Sequence, residues 1–174
     1  REQYAYTLGM QAYIFGFPYV YLPSLRWNWV TQPKPEGGPT AYAALNHFHH
    51  VRELQNADYR EGGAPNNDTP YSLAWVDVGR EPVILSHPDM GERYFTFEIA
   101  SLDSDNFAYA GKRTTGSKAG SFAIVGPGWK GTLPDGVTAL APSRTKSVLI
   151  IGRTLVDGPA ELPAVNALQD QFTL

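Results

Sequence analysis

Between Tyr71 and Arg153 the chain carries seven short apolar runs separated by turn residues, and this spacing constrains the fold more than any other feature. The runs are residues 71–78, 82–86, 93–99, 106–111, 121–125, 137–141 and 147–153. In the third, Phe95, Phe97 and Ile99 alternate with Thr96 and Glu98, so one face packs and the other is wetted. In the last, Val148 to Ile151 is apolar on both faces, as expected of a central strand. Runs of this length and spacing predict a mostly β fold, either an antiparallel β-sandwich or a strongly bent sheet. The remainder predicts N-terminal helices within residues 1–55 and a C-terminal helix over 159–172, where Leu162, Val165, Leu168 and Phe172 fall at helical spacing.

With 174 residues the chain fits a single domain, long enough to bury a core without staples. It has no cysteine, which excludes a disulfide framework, a thiolate zinc site and a cysteine nucleophile. A net charge of −3 argues against a nucleic-acid module, which needs a basic footprint. No run of about 18 apolar residues is present to span a membrane. The first residue is Arg1 rather than methionine, so the natural start, with or without a signal peptide, is expected upstream.

Gln3, Thr7 and Gln11 form one narrow polar stripe on an otherwise apolar segment, which predicts a mostly buried helix over 2–15. Pro18 is expected to end it, because a proline pushes the preceding residue out of the α region. A second short segment over 19–30 carries Trp27 and Trp29 and is interrupted by Pro23. Residues 32–39 are too rich in proline and glycine to be regular, and Thr40 is placed to cap a short helix reaching Leu45.

The stretch Asn66, Asn67, Asp68, Thr69, fenced by Pro65 and Pro70, feeds directly into the first strand at Tyr71. Asn and Asp bond their own backbone in tight turns, so the stretch reads as a structural turn. The same short polar groups also suit a ligand, and loops on a rigid scaffold are where binding groups concentrate. Arg113 beside Thr114 and Thr115 reads either as a charge paired to a carboxylate or as an anion clamp. His47, His49 and His50 lie close in sequence, but neither a H-E-x-x-H pair nor a suitable distant histidine accompanies them, so polar or capping roles are expected rather than a metal.

Other motif matches dissolve on their context. Gly126-Pro-Gly-Trp-Lys-Gly131 fits G-x-G-x-x-G, yet Pro134 and Asp135-Gly136 follow where a phosphate-binding helix would have to begin. Ser143 to Lys146 fits S-x-x-K without its supporting motifs, and no G-x-S-x-G elbow occurs. Asp103, Asp105 and Asn106 lack the glycine and closing glutamate of an EF-hand loop.

Several blocks together resemble the family of domain of unknown function 1254. They are Ala12-Tyr-Ile-Phe-Gly-Phe-Pro18, the alternating series Asn46, Phe48, His50, Arg52, Leu54, and Pro65-Asn-Asn-Asp-Thr69 with Tyr71-Ser72. Arg113-Thr-Thr-Gly116, Gly126 to Gly131, Gly152-Arg-Thr154 and Val165-Asn-Ala-Leu-Gln-Asp170 complete the set, in family order along nearly the whole chain. Pro70 departs from the apolar residue usual in the family. The resemblance implies a mainly β architecture with a helical N-terminus, a bacterial periplasmic or secreted setting, and a companion domain of unknown function 1214. It implies no reaction and no cofactor.

These readings converge on a binding module for a polar small molecule or carbohydrate. Its expected ligand-binding residues are His50, Arg52, Asn66, Asn67, Asp68, Thr69, Tyr71, Arg113 and Thr115. The alternative is a hydrolase or lyase using Asp68 as acid or base. The apolar Leu168 and Phe172 near the end of the chain are expected to need cover, either from the companion domain or from a second copy.

Overall fold

A computed structural model of the chain describes residues 1–31, 43–58 and 66–174. Its elements are α1 (Glu2–Arg26), a π-helical turn (Trp27–Thr31), β1 (His49–His50), β2 (Tyr71–Asp77), β3 (Val83–His87), β4 (Phe95–Ser101), β5 (Asn106–Gly111), β6 (Gly120–Ile124), β7 (Val137–Ala139), β8 (Ser147–Thr154), a 3-10 turn (Pro159–Glu161) and α2 (Leu162–Gln169). All seven expected runs form strands. The short β1 is an addition, arising where the alternation Phe48, His50, Arg52 has the period of a strand.

The strands divide into two mixed-length sheets, one ordered β1-β2-β8-β4-β5 and one ordered β3-β6-β7. Every pairing is antiparallel except β6 with β7, which is parallel. β8 is central, hydrogen-bonded to β2 on one side and β4 on the other, as its two-sided apolar run requires. Both sheets contribute to one hydrophobic cluster, with Val76, Phe97, Ile99, Val148 and Ile150 from the larger and Leu85, Phe122 and Ile124 from the smaller. The C-terminal segment ties the sheets together. Phe172 packs edge-on against Phe97 at 5.0 Å, while Ser86 on β3 and Thr173 exchange backbone hydrogen bonds of 3.0 and 3.1 Å.

The N-terminal expectation requires correction. α1 runs through both Pro18 and Pro23 as one 25-residue helix, and none of its residues is buried. Each internal proline removes an i to i−4 hydrogen bond and costs about 3 kcal/mol or more. Ring contacts Phe15–Tyr19 and Phe17–Tyr21 span Pro18 at 6.1 and 5.4 Å and offset part of that cost. The aromatic side chains of α1 stand in solvent, and Phe15 is 77% exposed.

Residues 32–42 and 59–65 lie outside the described residues, and with them the loop over 32–39, the cap at Thr40 and Pro65. Of the short helix ending at Leu45, residues 43–45 are described and are not helical. Asn46 takes a positive φ of 61°, a conformation Asn tolerates, which ends any helix there. The C-terminal helix divides into a 3-10 turn and α2, with Pro159 and Pro163 at the starts of the two pieces.

Candidate functional site

Alternation along the larger sheet sorts the predicted residues onto two faces. Ser72, Gly152, Phe97 and Ala110 are register partners pointing into the core. Their neighbours Tyr71, Arg153, Thr96 and Gly111 form the adjacent row on the opposite face.

On the core face, His50 meets Ser72, its Nδ1 2.8 Å from the Ser72 Oγ. The ring stacks on Phe48 at 5.3 Å. Burial, reinforced by the positive charge of Arg52, lowers its pKa to about 4, so the imidazole is neutral at physiological pH. Arg52 is committed to α2. Its guanidinium donates to the Asn166 carbonyl at 2.9 Å and the Gln169 Oε1 at 3.3 Å, and pairs with Asp170 at 2.6 Å. Gln169, fully buried, donates through Nε2 to the carbonyls of Val51 and Tyr71 and to the Ser72 hydroxyl. The block Asn46 to Leu54 and the block Val165 to Asp170 therefore hold each other.

The Asn66 to Thr69 turn closes on itself. Asn66 Oδ1 accepts the backbone N–H groups of Asp68 and Thr69 at 3.1 and 3.0 Å, and its Nδ2 donates to the Thr69 hydroxyl at 2.6 Å. The Asp68 carbonyl accepts from Val156, which anchors the turn beside the end of β8. Asn67 and Asp68 are exposed, and Asp68 does not line the cleft described below. Thr115 accepts the Gly111 N–H at 2.9 Å and so closes the turn after β5.

Arg113 lies elsewhere, in a cleft of about 260 Å³ on the outer face of the larger sheet. Tyr94, Thr96, Glu98, Tyr109, Arg113 and Arg153 line it. The Arg113 guanidinium sits over the Tyr94 ring at 5.1 Å, and that of Arg153 over Tyr71 at 5.4 Å. Arg153 Nη2 is 3.9 Å from Glu98 Oε2, an ion pair too long for a hydrogen bond. Among the described residues Arg113 forms no ion pair, and the buried Nε of Arg153 has no hydrogen-bond partner.

The structure thus distributes the nine predicted residues over three places. His50 and Arg52 join α2 on the core side, Asn66 to Thr69 form a self-bonded turn, and Arg113 lines the cleft, with Tyr71 against Arg153 beside it and Thr115 closing the turn after β5. The turn and Arg113 lie at the same end of the sheet, separated by the breadth of three strand spacings, roughly 14 Å at about 4.8 Å each. Glu98, Tyr109 and Arg153 are cleft residues outside the predicted site. Their signal was present in the polar positions of β4 and in one arginine interrupting the apolar β8, which share a face once the two strands are paired.

Among the described residues no group of three His, Asp or Glu side chains is placed to hold a metal ion. Gly126 to Gly131 form a turn, with Gly128 at φ 71° and the Trp129 N–H bonded to the Gly126 carbonyl. The Ser143 hydroxyl is engaged by the backbone of Thr145 rather than by Lys146.

No curated protein sequence matches the chain. Among solved structures, the VPA0106 protein of Vibrio parahaemolyticus is similar, with a TM-score of 0.72 and 26% identity over 93% of this chain. The match covers 36% of that protein, so the chain spans little more than a third of its length. A family model described as protein of unknown function, DUF1254, matches residues 45–174, which takes in β1 to β8, α2, the turn and the cleft. The chain belongs to the DUF1254 family.

Proposed function

We propose that the chain is a binding module for a small polar molecule or carbohydrate, held in the cleft formed by β4, β5 and β8. What supports this reading is two guanidiniums, each seated over a tyrosine ring, lining one cavity with a single carboxylate, Glu98, in its wall. A concave site with an aromatic wall and a few convergent polar groups is the usual form of a small-ligand site. The reading includes a periplasmic or secreted setting, which rests on the family resemblance. It also includes a place in a larger assembly with a companion domain or second copy, supported by the uncovered apolar surface of α1.

Thr114 lines the rim of the cleft and is exposed, so a bulky side chain there fills the cavity without entering the core. A thermal-shift screen of sugars and small polar metabolites is expected to find ligands that stabilise the natural chain. Thr114→Trp is expected to remove that stabilisation while leaving the unliganded melting temperature unchanged. Ligands that stabilise both chains equally would place binding outside the cleft.

A further inference from the structure

Resting on the cleft reading above, we infer that the ligand is a hydroxylated monocarboxylate of single-ring size, of the sugar-acid class. Three features of the cleft lead there. The first is charge. Arg113 and Arg153 against Glu98 leave a surplus of one positive charge, which a monoanion neutralises and a dianion overshoots. Glu98, only 22% exposed in its side chain, would repel the second charge of a phosphate. The cleft also lacks the helix N-terminus on which phosphate sites are commonly built, because β4, β5 and β8 supply its walls.

The second feature is hydrogen bonding. Arg113 is exposed and forms no ion pair among the described residues, and the Arg153 Nη2 stands 3.9 Å from Glu98, beyond hydrogen-bond reach. A guanidinium presents paired N–H groups in one plane, which a carboxylate accepts two at a time. The Tyr94 ring lies against the Arg113 guanidinium, and this exposed arginine is where such an acceptor would bind.

The third feature is the remainder of the wall. Thr96, Glu98 and the phenol of Tyr109 offer acceptors and donors suited to ligand hydroxyls, and the Tyr109 ring, 42% exposed, offers a flat apolar surface. A volume of about 260 Å³ falls just below the usual range of small-molecule sites, roughly 300–1,000 Å³, and so suits one sugar ring rather than a chain of them.

The test is a titration of the full chain followed by amide NMR, with D-glucuronate, D-glucose and inorganic phosphate as probes. Glucuronate is expected to produce saturable shifts at Thr96, Glu98 and Arg113 that neither glucose nor phosphate reproduces. Arg113→Lys and Arg153→Lys keep the charge and lose the planar fork, and each is expected to weaken glucuronate about tenfold or more with the remaining spectrum unchanged. Glucose shifting the same amides as strongly as glucuronate would overturn the acid class and leave the cleft reading standing. Phosphate alone saturating those amides would likewise overturn the carboxylate. No shift at the cleft with any probe overturns the sugar-acid assignment, and the Thr114→Trp screen then decides separately whether the cleft binds anything.

Discussion

Gly152, Arg153 and Thr154 are consecutive, yet each answers to a different neighbour. A Cβ on Gly152 would stand 2.8 Å from the Phe97 ring and 3.0 Å from the Ser72 carbonyl, so only glycine lets that ring cross the strand. Gly152→Ala is expected to cost about 1–3 kcal/mol by overpacking, read from urea unfolding; an unchanged midpoint would show that Phe97 moves aside freely. Thr154 is buried, whereas Arg153 faces the cleft. His50 and His87 carry a different liability, since both are pulled below their ordinary pKa chiefly by burial. The unfolded chain therefore takes up protons on them below about pH 6.5, before the folded chain does. Stability is complete above that pH and falls as pH drops from there toward about 4. Denaturation midpoints are expected to decline between about pH 7 and about pH 5, and less steeply in His50→Asn, which can keep a bond to Ser72. A midpoint flat across that range would contradict the neutral, buried imidazoles. These contacts were hidden in the sequence because His50 and Ser72 are 22 residues apart.

At the scale of elements, the strands were legible and the helices less so. Strand alternation is a local signal, and β4 carries it cleanly, with Phe95, Phe97 and Ile99 buried against half-buried Thr96 and Glu98. α1 misled because an apolar composition was read as burial, although composition does not say what covers a helix. Deleting residues 1–31 is expected to change the stability of the sheets by less than about 0.5 kcal/mol, since no α1 side chain is buried. A larger loss in urea would reveal packing between α1 and the core. α2 is the opposite case, held through side chains rather than exposed on the surface. Gln169→Leu takes the Nε2 donor from the Val51 carbonyl and the Oε1 acceptor from Arg52, while Ser72 and the Tyr71 carbonyl keep His50 and the Val51 N–H, and is expected to cost about 1–3 kcal/mol. Asp170→Asn disturbs only a partly exposed ion pair and is expected to cost under about 1 kcal/mol. Similar losses for the two, by differential calorimetry, would refute this ranking.

At the scale of the whole molecule, the expected need of Leu168 and Phe172 for outside cover is met within the chain. Phe172 is buried against Phe48 and Phe97, and Leu168 packs on the same cluster. The uncovered apolar surface sits instead on α1, at the other end of the sequence. Of the nine predicted residues Arg113 is the one that lines the cleft, and the others lie apart from it because sequence order does not say which face of a sheet a residue takes until the strands are in register. Pairing β2, β8, β4 and β5 puts Ser72, Gly152 and Phe97 on one side and Tyr71, Arg153 and Thr96 on the other, one residue apart in each strand. That interleaving bears on how such a chain can change its length. An insertion or deletion of one residue within β8 would exchange the two rows, sending a guanidinium into the hydrophobic cluster and exposing the notch that receives Phe97. The strands are therefore expected to accept point changes but not length changes, and any drift in chain length among related proteins should collect in the connections between them.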